Sequence, residues 1–341
     1  IDHKKLFEEI NESIAENSDD AIRVRLRMGI YSEADRALDI ERRFDRAKLA
    51  ADTARSSFSR SIGYFNTEMH QKELFTEQLL EDFPNAIAGR QFRIAYQPKF
   101  DIRQKSPKLC GAEALVRWEH PTLGLINPGV FIPLFEENGL IEELDLYVWE
   151  SVSAQLEEWK NSVGIIVPIS ANVSRIDMHD PDLVENMLRI AESHSLTPDD
   201  LTLEITESAY TQDSAEIVET VRQFQAMGFR VEMDDFGSGY SSLSMLSSLP
   251  IDGLKLDMYF IRNSFDNSRD TRLLEVVIDL ADHLSVPVIA EGVETKEQVQ
   301  ILRDMGCSII QGYYFSKPVT PTEFESFLYA LRNSLGTFSA A

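Results

Sequence analysis

Polar side chains recur at or near the ends of apolar segments through the second part of the chain: Glu113, Asn172, Glu204, the pair Asp234-Asp235, Lys255, Glu291 and Gln311. Acids carried into one shared mouth repel each other unless they are protonated or a cation neutralises them. Oxygen-only donors from Asp, Glu and Asn suit hard divalent ions such as Mg²⁺ or Mn²⁺. Neighbours in an extended strand point to opposite faces, so Asp234 and Asp235 can share a site only where their strand ends. Phe236-Gly237-Ser238-Gly239 is expected to supply that turn. One of the two aspartates would then bridge two ions while the other holds only the second. Two ions about 3.5–4 Å apart polarise a phosphate and activate a water for in-line attack. Lys255 is a cation suited to orienting that water or to offsetting negative charge. Singly, each residue has a plainer reading: a helix cap, a surface lysine or a turn glutamine. Independent caps, however, have no need to be carboxylates on successive strands.

The elements that must position these residues alternate. Strand-like stretches at 93–97, 111–118, 165–172, 201–205, 230–234, 253–257, 287–291 and 308–311 are separated, for the most part, by helical patterns such as 142–159, 181–194, 214–227, 272–284 and 296–305. This spacing predicts an α/β fold, a TIM-like (β/α)8 barrel whose function collects at the carboxyl ends of its strands. A doubly wound open sheet is the alternative, but no Gly-rich nucleotide loop follows the first strand. Residues 1–85 form a separate small α+β or helical segment. Helix is expected at 6–14, 36–55 and 68–88, and strand at 22–30 and 61–65. The barrel occupies 86–341.

A formal charge of −24, most of it beyond residue 90, excludes broad electrostatic binding to duplex nucleic acid or to anionic lipid. A small anionic substrate is compatible with it when divalent cations intervene. No segment is apolar enough to span a membrane, and Cys110 and Cys307 read as reduced core thiols of a cytoplasmic protein. The first residues, Ile1-Asp2-His3, suggest a fragment or processed chain, with upstream sensor or membrane segments possible. The six histidines show no ligand spacing, and the serine pairs lie in no nucleophile elbow.

The motifs stand in a telling order: Tyr96-Gln97-Pro98, Glu113-Ala114-Leu115 with Arg117-Trp118, Asn172-Val173-Ser174, Leu203-Glu204-Ile205-Thr206-Glu207, Asp234-Asp235-Phe236-Gly237, Lys255, Glu291-Gly292-Val293-Glu294 and Gln311-Gly312. Over roughly 85–335 the chain resembles the EAL family of cyclic di-GMP phosphodiesterases. The resemblance implies that Glu113, Asn172, Glu204 and Asp234 hold a first metal ion, and Asp234, Asp235 and Glu291 a second, both Mg²⁺ or Mn²⁺. It implies that Lys255 positions the water, that Glu291 helps to deprotonate it, and that Gln311 is a polar partner beside them. Gln97, Leu115 and Arg117 resemble substrate contacts, Arg117 being suited to a phosphate. Glu207 resembles the anchor of the loop after Asp235, and Glu294 a residue supporting the ligands from behind. Cyclic di-GMP is the expected ligand, linear pGpG the product, and a homodimer through the barrel the expected assembly. A catalytically silent cyclic di-GMP receptor is the alternative, and a barrel enzyme acting on a sugar phosphate or enolisable acid a more distant one. Val24–Tyr31 and Arg46–Asp52 resemble the C-terminal third of a GGDEF domain whose signature is absent, so no cyclase activity is expected; a plain linker or dimerisation segment is the other reading of residues 1–85.

Overall fold

The computed structural model describes residues 2–16, 26–55, 61–212, 214–237, 249–266 and 268–336. Their contacts divide the chain into two units, 1–83 and 84–341. In the first, α1 is His3–Glu16, and β1 (Met28–Ile30) pairs in parallel with β2 (Ile62–Tyr64) while α2 (Ile40–Arg55) crosses between them. The helix lies directly on the strands, because a Cβ at Gly29 or Gly63 would stand 1.7 or 1.8 Å from the backbone oxygens of Ala47 or Ala50. Arg46 is buried there, bonded to the Glu73 carboxylate and the Tyr31 hydroxyl. Of the expected strand at 22–30, residues 22–25 lie outside the described residues, and among the described 26–30 the strand covers 28–30. The division between units falls within α3 (Thr67–Ala88).

In the second unit all eight expected strands form. They are β3 (Phe92–Asp101), β4 (Lys108–His120), β6 (Ile169–Asn172), β7 (Leu201–Thr206), β8 (Arg230–Phe236), β9 (Gly253–Leu256), β10 (Val288–Ala290) and β11 (Ile309–Gln311), with β5 (Gly124–Ile126) a short addition on β4. The order β3-β11-β10-β9-β8-β7-β6-β4 closes because β3 also pairs with β4. The closure departs from a uniform (β/α)8 barrel in one respect. β3 runs antiparallel to both β4 and β11, so a turn rather than a helix joins it to β4. Parallel neighbours need a crossover, whereas antiparallel ones can be joined directly.

Alternation decides what faces the barrel axis. Leu201, Leu203 and Ile205 of β7, Val231 and Met233 of β8, and Leu254 and Leu256 of β9 are all buried apolar positions. The positions between them, including Glu204, Glu232, Asp234 and Lys255, form a polar interior. Gly253 makes room for that interior, since a Cβ there would come within 2.9 Å of Glu232 Cγ. Outside, α5 (Ile141–Ser162) buries Leu144, Val148, Val152, Leu156 and Trp159, a run at helical spacing that gives one apolar face. α4 (Pro128–Glu137) starts where Asn127 caps the Gly129 N–H with Pro128 in its first turn. Completing the domain are α6 (Leu183–Ser193), α7 (Glu207–Gln212), α8 (Ser214–Met227), α9 (Met258–Asp266), α10 (Ser268–His283), α11 (Lys296–Asp304) and α12 (Pro321–Gly336). Among the described residues no helix is long and apolar enough to cross a membrane.

Candidate active site

Lys255, on β9 and 1% exposed, is the centre of the polar interior. Its Nζ lies 2.7 Å from Glu204 Oε2, 2.8 Å from Glu291 Oε1, 3.0 Å from Asp234 Oδ1 and 3.4 Å from Glu113 Oε2. Four strands or strand ends thus deliver one carboxylate each to a single ammonium. One oxygen from each of Glu113, Glu204 and Asp234 falls within 4.8 Å of the other two. Asn172 stands at the exposed end of β6, in register with Glu204 on β7.

Glu113 lies in the middle of the long strand β4, not at its end. It is nevertheless the last β4 residue in register with β6, through Ser170, so β4 leaves the parallel part of the barrel there. Across the antiparallel pair Glu113 faces Gln97. Gln311 joins them, its Nε2 donating to Glu113 Oε2 at 2.5 Å and to Gln97 Oε1 at 3.2 Å. Gln311 Oε1 is buried with no hydrogen-bond partner among the described residues. Such an acceptor costs free energy until a donor reaches it. Leu115 and Arg117 continue the face of Glu113 along β4 and line a cavity of about 560 Å³.

The Asp234-Asp235 pair is accommodated differently from the expected terminal turn. Met233 pairs with Leu254 and Phe236 with Leu256, so two residues of β8 stand opposite Lys255 alone. This is a β-bulge, and Asp235 occupies it with φ of 58°, in the left-handed region. The bulge re-aims one of two neighbours that a regular pleat would send apart. Its geometry is held by Asp235 N donating to Asp234 Oδ1 at 2.8 Å. Asn tolerates this backbone conformation as Asp does. Asp235→Asn is therefore expected to change stability by no more than about 1 kcal/mol while lowering turnover; an unchanged rate would discard a role for this carboxylate in holding an ion. Glu207, buried at the start of α7, accepts from Gly237 N at 3.1 Å. The loop expected beyond it, from Ser238 onward, lies outside the described residues through 248.

Burial and crowding set the charge states. Burial, with Glu204 adding to it, pushes the Glu113 carboxyl up to about 7 against the pull of Lys255. Burial likewise pushes Glu291 up to about 8, opposed by Lys255 and reinforced by Asp234. Burial and then Asp234 raise Asp235 to about 6. Glu204 goes the other way: burial disfavours its charge, but Lys255 and Lys99 outweigh burial and hold it well below the usual carboxylate range. Burial also opposes the charge of Lys255, and the surrounding carboxylates overcome it. Three acids that hold protons tightly beside one that does not give a site able to exchange protons for a cation. The all-oxygen donor set, the convergence of carboxylates and the orphaned Gln311 oxygen fit a hard divalent ion.

Lys99 and its partner Glu232 escaped the sequence reading. Lys99 on β3 bridges Glu204 Oε1 at 2.8 Å and Glu232 Oε2 at 2.7 Å, forming an ion-paired layer beside Lys255. The available signal was its place two residues beyond Gln97, on the same face of a strand. Glu294 is not brought into the cluster; it is exposed and ion-paired with Arg262 of α9. Its backbone N–H is held by Gln298, part of the cap that starts α11, which is why the position lies outside the barrel mouth.

A family profile described as "EAL domain" matches residues 80–318. The cyclic di-GMP phosphodiesterase PA2567 of Pseudomonas aeruginosa is 33% identical over 310 residues, 90% of this chain and 52% of that protein. The bifunctional diguanylate cyclase/cyclic di-GMP phosphodiesterase MucR of the same organism is 36% identical over 256 residues, 75% of this chain and 37% of that protein. A solved PaMucR phosphodiesterase in complex with c-di-GMP superposes with a TM-score of 0.68 at 36% identity, covering 72% of this chain and 99% of that one. The chain spans about a third to a half of the length of the curated relatives it matches.

Proposed function

Because this chain belongs to the EAL domain family, we propose that residues 86–341 hydrolyse one phosphodiester of cyclic di-GMP to give linear pGpG. The observation that carries this reading is the ring of four carboxylates closed around Lys255 at 2.7–3.4 Å. Bound Mg²⁺ or Mn²⁺ would polarise the phosphodiester and lower the pKa of water. Glu113, Asn172, Glu204 and Asp234 would hold one ion, and Asp234, Asp235 and Glu291 the other. Lys255 Nζ orients the attacking water and meets charge developing on the phosphate. Glu291 would receive the proton of that water. Attack at phosphorus breaks one P–O3′ bond, and the departing ribose oxygen takes up a proton. Gln97 and Leu115 flank the phosphodiester, Arg117 binds a phosphate oxygen, and Gln311 keeps Glu113 and Gln97 in place. Glu207 supports the exit of β8 through Gly237.

The test is incubation with cyclic di-GMP and Mg²⁺ or Mn²⁺, with pGpG followed by chromatography. Product formation by the wild type, its loss in Asp234→Asn and loss of the ion-induced rise in melting temperature in that variant are expected. Tight binding without product would favour a silent receptor, and absence of binding would discard both readings.

The same proposal extends to the surroundings. The free thiols Cys110 and Cys307 suit the reducing cytoplasm. Exposed Tyr259 on α9, with Leu273 and Val276 on α10, supports a homodimer through the barrel. Residues 1–85 fit a partial, degenerate GGDEF-like segment, their β1-α2-β2 order falling where the resembling motifs lie.

A further inference from the structure

Asp145 of α5 and Asp177, in the turn after β6, direct carboxylate oxygens at one backbone donor. Ser174 N lies 3.3 Å from Asp145 Oδ2 and 3.0 Å from Asp177 Oδ2. Asp177 Oδ2 also accepts from Ser174 Oγ at 2.6 Å. The two acids are only 8% and 3% exposed. Two buried carboxylates this close repel when both are ionised, and one proton held between them turns repulsion into a short charge-assisted hydrogen bond. Glu136 of α4 faces both acids, and Arg175, in the turn that carries Asp177, faces Glu136 in its turn. Glu136 adds negative charge and so favours retention of the proton. Burial first, and then the hydrogen bond to Asp177, raise the proton affinity of Asp145 well above that of an ordinary aspartate.

One turn further along α5, Trp149 Nε1 donates to the backbone oxygen of Asn172 at 3.1 Å. Residues four apart share a helix face, so one face of α5 grips Asn172-Val173-Ser174 at both ends. Ser174 and Arg175 line the 560 Å³ cavity together with Arg117.

We propose that Asp145 keeps a proton, donates it in a hydrogen bond to Asp177 and so closes a clasp, positioning Asn172 and the cavity wall for substrate, so that binding weakens when that proton is lost. The proposal rests on the phosphodiesterase reading of the site. Both acids are positioning residues, since they act through Ser174. A folded-state pKa above the unfolded value gives stability that is complete at low pH and lost as pH rises through the folded value.

The experiment follows melting temperature, and KM and kcat for cyclic di-GMP, from about pH 6 to about pH 9 in the wild type, Asp145→Asn and Asp177→Asn. An asparagine amide donates without needing a proton, so either variant should show a flatter profile. Relative to Asp145→Asn, the wild type should lose melting temperature as pH rises. Its KM should climb by up to about tenfold per pH unit beyond the midpoint of the pair, with the kcat ratio constant. Should Asp145→Asn fail to fold, Asp177→Asn supplies the same comparison from the other side. Parallel profiles for wild type and variants, in both melting temperature and KM, would overturn the clasp. Absence of turnover by the wild type would instead count against the phosphodiesterase reading, and the melting profiles would still decide the clasp.

Discussion

Lys255→Met is expected to lower kcat for cyclic di-GMP by about 10²–10³-fold, within the range of a lost positioned proton-handling group. KM should move far less, because Arg117, Gln97 and the cavity wall remain. The ion-free variant should also lose about 3–5 kcal/mol of stability, since four carboxylates lose their shared counter-charge. Divalent ions should then restore more melting temperature in the variant than in the wild type, because an ion takes over the neutralisation that the ammonium performs alone. Stopped turnover with strengthened ion response is therefore the expected signature. An unchanged kcat, or a variant that no longer responds to Mn²⁺, would place Lys255 outside the chemistry and among the elements that merely hold the ligands.

The affinity for Mn²⁺ should rise steeply with pH. Glu291 near 8, Glu113 near 7 and Asp235 near 6 all carry protons that an ion must displace. Each displaced proton contributes up to about tenfold in affinity per pH unit below its pKa, so binding at about pH 6 should be at least a hundredfold weaker than at about pH 8. The ion-free protein behaves oppositely. Carboxyl pKa values raised above their unfolded ones give stability that is present at low pH and lost as pH climbs through about 6 to 8. Calorimetry in buffers of different ionisation enthalpy counts the protons released; about one or more at neutral pH is expected. Release of none would mean that the ion binds without Glu113 or Glu291.

Much of this site was legible in the sequence because alternation and chemistry coincide. Strands of Leu, Val and Ile that carry Glu204, Asp234 or Lys255 at the inward parity announce both the barrel and its polar interior. Register was not legible. Lys99 acquires its meaning only when antiparallel β3 sets it between Glu204 and Glu232. The adjacency of Asp234 and Asp235 suggested a strand ending, whereas a bulge opposite Lys255 solves the same geometric problem within the strand. Asp145 falls inside the helical pattern at 142–159, which carries no sign of a partner. Its partnership with Asp177 depends on how α5 lies against the exit of β6, which no local pattern encodes. Glu294, two residues before the start of α11, is held by the cap of that helix rather than by the cluster.

The antiparallel strand β3 bears on how the domain acquires its structure. Gln97 on β3 meets Gln311 at a sequence separation of 214, and Tyr96 pairs with Val319 beyond it. The β3–β4 hairpin can form as soon as it leaves the ribosome, but the ring stays open until the final strand is synthesised. Contacts of such long separation are slow to form, and exposed strand edges invite association while they wait. Glu113 meanwhile lacks Gln311 and therefore the hydrogen bond that holds it in place. An unfinished chain is thus expected to be inert, the proposed hydrolysis waiting until the two ends of the domain have met.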